Sequence, residues 1–306
     1  MTAQAGLQVG LKRPLHWRRM LEEGKLPPFE GDADAYLRAL GFGFVEFELT
    51  LGLGANEETV ALLRREAVAC RESGLRVALH PYCDKHDNDT AAWFGPDFGS
   101  QPGVAPVLEA ACTAAAASGA PVPLVIHPAQ YAYGFEGGAP AGLREDLVRR
   151  SALFFAALSE KAKGTDPAVR PMAEYQLPPD RGEPLMRIGD TCAELLAVAA
   201  DSGEGVCWDT GHYTLSIARH DDPEPPPEAF LRRVRHVHLH DVVDGRDHRP
   251  ITRDSIRIRA LVERLLATGF AGTITLEYSL DGILSGGGIR AVLHDSMRIL
   301  ADWGLL

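Results

Sequence analysis

Residues 205–209 read GVCWD, residues 235–240 read RHVHLH and residues 273–277 read TITLE. Each is a short run rich in β-branched and aromatic residues, bounded by loop text, and so reads as a strand. Between the last two lies SIRIRALVERLLAT (255–268), whose apolar residues recur with helical spacing. Working outward, the same unit repeats toward the amino terminus. The further strands are LQVGL (7–11), FVEFEL (44–49), RVALH (76–80), PLVIH (123–127) and RPMAE (170–174). Helical patterns such as EETVALLRREAVACRES (57–73) and LREDLVRRSALFFAALSEKAK (143–163) separate them, and GIRAVLHDSMRILADW (288–303) follows the last strand. Asp190-Thr191 marks a helix start, with Gly203 suited to its end.

Strands alternating with helices imply βαβ units and a parallel sheet. Eight such units in 306 residues favour a closed (β/α)8 barrel, a TIM barrel, spanning 1–306 as one domain. The doubly wound alternative lacks its usual mark, since no GxGxxG or P-loop follows the first strand. The stretch DDPEPPPEAF (221–230) is too short to divide the chain and reads as a surface loop, and ACTAAAASGA (111–120) reads as a helix end.

Composition narrows the function. Hydrophobic residues make up 45% and charged residues 24%, which fits a folded enzyme and not a disordered chain. No apolar run is long enough for a membrane span, and the opening MTAQAGLQVGLKRP has no signal-peptide core, so a cytoplasmic protein is expected. The net charge of −11 counts against nucleic acid as the main partner. Five scattered cysteines, without a CxxC pair, suit free thiols in a reducing compartment.

The strand ends carry the chemistry, because barrel active sites lie at the carboxyl ends of the strands. Here those ends supply His80, His127, Glu174, Asp209 and Glu277, and the seventh strand supplies His236, His238 and His240. Alternation along each strand gives an independent check. Met172 and Glu174 share a face, as do Cys207 and Asp209, while Ile274 and Leu276 turn away from the face that carries Glu277. His80 and His127 likewise point inward. Several inward carboxylates meeting in one barrel mouth would be prohibitive without compensation, and a divalent cation converts their repulsion into shared coordination.

The ordered segments GFGFVEFE, GLRVALHP, LVIHPA, MAEYQLP, GVCWDTGH, VRHVHLHD and GTITLE resemble the xylose-isomerase-like barrels, which include sugar isomerases, epimerases and endonuclease IV. The resemblance runs from about residue 40 to 280. It implies a metal site of Glu174, Asp209, His238 and Glu277, holding Mn, Mg, Co or Zn. In endonuclease IV-like members five further ligands hold additional metals, and the corresponding positions are His80, His127, His212, Asp247 and His248. The last pair departs from the family's Asp-x-His pattern, because acid and histidine are adjacent here. By the same resemblance Glu174 and Glu277 are the proton-transfer pair, and His212 and Arg246 would hold substrate oxygens.

The expected function is therefore a metal-dependent sugar, sugar-phosphate or polyol isomerase or epimerase. It would work by proton abstraction to a metal-stabilised enediolate. The rival is an endonuclease IV-like phosphodiesterase, and a lyase or dehydratase is a further option. The expected partner is a small carbohydrate, with no membrane and with homo-oligomers open. Glu46 and Glu48 share the inward face of the second strand, and Glu48, nearer the mouth, is preferred as a substrate contact. His236 reads as a core histidine and His240 as a loop contact. Gly286–Gly288 read as a flexible loop, and Trp17, Trp93 and Phe94 as candidate apolar walls.

Overall fold

Eight parallel strands close a barrel in the computed structural model, which describes residues 7–24, 30–52, 57–83, 102–133, 138–165, 169–180, 182–203, 205–220 and 223–306. They are β1 (Gln8–Pro14), β2 (Phe44–Leu51), β3 (Arg76–Cys83), β4 (Val122–Ile126), β5 (Val169–Glu174), β6 (Val206–Asp209), β7 (Val234–Leu239) and β8 (Thr273–Leu276). Neighbours in the barrel are neighbours in the chain, and β1 pairs with β8 to close it. Two short antiparallel two-stranded sheets decorate the carboxyl end, one pairing 130–132 with 185–187 and the other a hairpin pairing 241–243 with 246–249. Trp93 and Phe94 lie outside the described residues.

Alternation sorts the side chains into two cores. Val9, Leu11, Val45, Phe47, Val77, Leu79, Leu124, Ile126, Trp208, Val237, Leu239, Ile274 and Leu276 belong to one large buried cluster between strands and helices. Val125, Met172 and Cys207 form a separate small cluster, inside the barrel. Two consecutive residues can serve different cores because strand side chains alternate between faces.

The helices keep their expected places with adjusted ends. Glu57–Glu72, Leu143–Thr165, Ile256–Ala267 and Ile289–Asp302 match the sequence patterns closely. Thr191 caps the helix Cys192–Val198, its Oγ1 accepting the Glu194 amide at 3.3 Å. That helix stops well before Gly203, because Ala199–Ser202 already turn away toward β6. Trp17 is buried at the start of its own short helix.

Outside the barrel wall, Arg13 of β1 is buried against Asp34, with Nη1 2.7 Å from Oδ1. Arg18 reaches the other oxygen of Asp34 at 2.7 Å, and Glu66 lies 3.7 Å from Arg13 Nη2. Removing one partner of such a buried pair strands a charge in low dielectric, which costs about 3–5 kcal/mol. Asp34→Ala is therefore expected to destabilise the fold by about that much in urea titration, whereas Arg19→Ala, at a solvent-exposed pair with Glu23, should leave the urea midpoint essentially unchanged.

Candidate metal centre

Glu174 ends β5, Asp209 ends β6, His238 is the penultimate residue of β7, and Glu277 follows β8 directly. Register makes their meeting unavoidable, since Asp209 and Thr275 are both direct neighbours of His238 across the sheet. One ligand atom from each of the four lies within 4.8 Å of the others. Glu174, Asp209 and His238 are fully buried, and Glu277 is 7% exposed.

His238 Nδ1 faces the carboxylates, 3.2 Å from Glu174 Oε1, 2.7 Å from Glu277 Oε2 and 4.0 Å from Asp209 Oδ2. Burial by itself would raise the carboxylate pKa values. For Glu174 the neighbouring His238, His80 and His127 outweigh it, and for Glu277 Lys12, His238 and His248 do, so both are held well below the ordinary value. Burial opposes charge on His238 too, but Cys207, Glu46, Glu174 and Glu277 overcome it and raise its pKa well above the usual range. The site thus calls for positive charge at the point where Nδ1 meets the carboxylates.

A divalent cation fits these residues. Glu174 Oε2 and Glu277 Oε2 are buried with no hydrogen-bond partner, although nitrogens approach each at 2.7 Å. Short approaches at angles that make no hydrogen bond are what converging ligands produce. The donor set of three carboxylates and one imidazole suits Mn, Mg, Co or Zn.

Glu46 fixes the imidazole. It accepts from His238 Nε2 at 2.8 Å, from His236 Nε2 at 2.8 Å and from Thr275 Oγ1 at 2.6 Å. Placing the proton on Nε2 leaves the Nδ1 lone pair for a metal, the carboxylate–histidine–metal arrangement. Of the two inward glutamates of β2, the buried one is therefore a support for the ligand. Glu48 is exposed and lies nearer the mouth, as parity implies, where it acts on Lys12 and Tyr82 through charge.

The histidine ring assembles as well. His80 Nε2 lies 2.7 Å and His127 Nε2 3.4 Å from Glu174 Oε2. Burial and Lys12 push the His80 pKa down to about 4, so it stands neutral. His212 Nδ1 donates to the Tyr175 carbonyl at 3.0 Å, which leaves Nε2 free, 3.7 Å from Asp247. His248 Nδ1 lies 3.3 Å from Glu277 and its Nε2 3.5 Å from Asp247. Adjacent Asp247 and His248 can both reach the centre because His248 sits in the left-handed region, with φ 51°. Arg246, one residue earlier in the same hairpin, is exposed.

Three contributors escaped the sequence reading. Lys12 donates to Glu277 Oε1 at 2.6 Å and to the Tyr82 hydroxyl at 2.8 Å, and Tyr82 in turn lies 3.2 Å from His80 Nε2. The signal for both was strand length, because β1 runs past Leu11 and β3 past His80, which carries Lys12 and Tyr82 inward with Gly10 and His80. His240 is no loose loop contact. Its Nδ1 accepts the His248 amide at 2.8 Å, so Nε2 carries the proton given to Asp209 at 2.9 Å. Gly211 makes room for it, since a Cβ there would lie 2.0 Å from the His240 ring.

Comparison with known proteins places this geometry. The family model for xylose isomerase-like TIM barrels matches residues 35–302, and the chain belongs to that family. No curated protein matches by sequence. Among solved structures it is similar to 3-keto-D-glucoside 4-epimerase from E. coli, at 15% identity and TM-score 0.60, covering 97% of this chain and 99% of that one. It is similar to a D-psicose 3-epimerase solved with D-fructose, at 15% identity and TM-score 0.61, covering 96% and 97%. The D-psicose 3-epimerase of Clostridium cellulolyticum H10, solved with D-tagatose, aligns at 12% identity and TM-score 0.59 over 97% and 98%. These likenesses establish the fold.

Loss of a carboxylate that orients a liganding histidine typically weakens metal binding by about 10–100-fold. Glu46→Gln is expected to weaken Mn²⁺ or Zn²⁺ affinity by about that factor, measured by competition with a fluorescent chelator. Glu48→Gln should leave it within about threefold.

Proposed function

We propose that the chain is a metal-dependent sugar isomerase or epimerase that moves a proton at the carbon beside a carbonyl. The observation that carries this reading is the carboxylate pair. Glu174 and Glu277 flank His238 Nδ1 at 3.2 and 2.7 Å, and each has its own nitrogen neighbour, His80 for Glu174 and Lys12 for Glu277. Glu174, Asp209, His238 and Glu277 would hold the ion. Bound there, it would supply Lewis-acid stabilisation of negative charge developing on substrate oxygens.

The remaining roles belong to the chain. One glutamate takes the proton from the substrate carbon and the other returns one, to the opposite face or to the adjacent carbon. Neutral His80 and the Lys12–Tyr82 pair hold the two carboxylates in position and ionised. His212 Nε2 and His248, at the rim, are placed to receive substrate hydroxyls, and Glu48 and Arg246 lie further out as candidate contacts. The sugar epimerases of the same fold support a carbohydrate substrate.

Charge balance favours this reading over a phosphodiesterase of the endonuclease IV kind. The three carboxylates at the centre would be balanced by the Lys12 ammonium and a single divalent ion. Two further groups bring their ligand atoms within 4.8 Å of one another, His80–His127–Glu174 and His212–His240–His248. In the second, both His240 nitrogens are already engaged. Elemental analysis should find one divalent ion per chain, and two or three would favour the phosphodiesterase.

With Mn²⁺ and a panel of ketohexoses including D-psicose and D-fructose, turnover should wash solvent deuterium into the product. Glu174→Gln and Glu277→Gln should each lower kcat by about 10²–10⁴-fold. Activity retained in both variants, or turnover with no deuterium uptake, would refute the proton-transfer reading.

A further inference from the structure

The amino end of the barrel is unlike the carboxyl end. A cavity of about 980 Å³ opens there, lined by residues from every strand or from the segment leading into it. Arg76, Arg170, Arg232, Arg233 and Arg235 line it, and no Asp or Glu is among its described lining residues. The chain as a whole carries a net charge of −11, so this basic concavity does not follow from composition.

Strand parity aims two of these arginines. Arg76 precedes His80 by four residues and Arg170 precedes Glu174 by four, so each shares the inward face of its strand, roughly 13 Å below the metal centre. Neither side chain has a hydrogen-bonded or ion-paired partner among the described residues. Burial, with no carboxylate to offset it, pulls the Arg76 pKa below its ordinary value. Gln8, in the same inner layer, has its Oε1 buried without a partner.

Arg235 is placed by a local irregularity. The β6–β7 register slips between Val206 and Cys207, which makes Arg235 the extra residue of a bulge. Its side chain lies over Gly205, where a Cβ would come within 2.1 Å of Arg235 Cγ. Its Nη1 donates to the carbonyls of Arg232 and Val234 at 2.9 and 2.8 Å. Arg233 is tied to the Ala199 carbonyl at 3.0 Å, and Arg232 pairs with exposed Glu228.

The floor is apolar. Phe44 and Met172 line the cavity from inside the barrel, and Phe44 lies 6.0 Å, ring to ring, from His236. These side chains separate the cavity from the metal centre. We propose that the amino-end cavity binds a phosphate-bearing small organic molecule, its phosphate held by Arg76 and Arg170 and its organic part on the Phe44–Met172 floor. Guanidinium groups suit this role because they grip phosphate oxygens bidentately. The apolar floor distinguishes such a ligand from a bare ion. The inference is independent of the reaction at the other end.

The test is calorimetric titration of the metal-loaded protein with phenyl phosphate and with inorganic phosphate, at fixed ionic strength set by NaCl. Binding at one site per chain is expected, tighter for phenyl phosphate. Arg76→Gln/Arg170→Gln should weaken it at least about tenfold, given the usual strength of charged hydrogen bonds. Arg170→Gln alone, at an exposed side chain, should weaken it several-fold with an unchanged Tm, which guards against misfolding of the double variant. Glu277→Gln should leave it unchanged. Binding that survives the double arginine variant, binding lost in Glu277→Gln, or no binding beyond the NaCl control would overturn the proposal. So would a dimer that Arg170→Gln dissociates, which would assign the basic face to a second copy of the chain.

Discussion

Three carboxylates converge on one histidine nitrogen inside a barrel mouth, and the surrounding structure answers that constraint. Glu174, Asp209 and Glu277 cannot remain ionised and buried without cations or polar hydrogen-bearing groups beside them. The fold supplies Lys12 to Glu277, His240 to Asp209, and His80 with His127 to Glu174. Each compensating group comes from a different strand or strand end, so the site is distributed around the barrel. A barrel suits this because all its strands end at one rim, where each can present an inward side chain. The ammonium of Lys12 leaves two of the three negative charges for one divalent ion.

Beneath the centre lies a second tier with a different task. His236, Glu46 and Thr275 fill the interior where small barrels ordinarily pack branched apolar side chains. A polar interior is tolerated because Glu46 is satisfied three times over, and its pKa is held well below the ordinary carboxylate value despite burial, by His238 and His236. The gain is orientation. An imidazole with one nitrogen committed to Glu46 offers its other nitrogen to the mouth, and neither tautomer nor ring angle is left to chance.

Much of this was legible in the sequence, because strand parity and strand ends are one-dimensional properties. That Glu174, Asp209, His238 and Glu277 point into one mouth needed only the location of each strand's end and the alternation leading up to it, and the family resemblance singled these four out among the inward polar residues. What could not be read depends on how far strands run and what faces them across the barrel. Lys12 looked like loop text because β1 was taken to end at Leu11, and it is the pairing of Lys12 with Glu46 in register that extends the strand. Glu48 seemed the better of two glutamates by its height, but function in the interior goes to the one with partners, and the partners of Glu46 lie 190 to 229 residues away in the chain. The adjacency of Asp247 and His248 looked like a break in the family's spacing, and backbone conformation at His248 compensates for it.

That compensation shows how the rim is made rigid enough to serve the centre. A non-glycine residue in the left-handed region costs of order 1–3 kcal/mol, so the hairpin 241–249 must be held from outside. Ser279 donates its amide to the His248 carbonyl at 2.8 Å, the His248 amide is bound to His240, and Ser255 Oγ bonds Asp241 at the hairpin's base. The His248 ring stacks on His240 with centroids 4.4 Å apart. The strained residue is therefore tied to β7, to the loop after β8 and to Asp209 through His240. A displacement of the hairpin would have to disturb Asp209 and Glu277 together. In this way a surface loop, ordinarily the most variable part of a barrel, becomes mechanically continuous with the buried carboxylates beneath it.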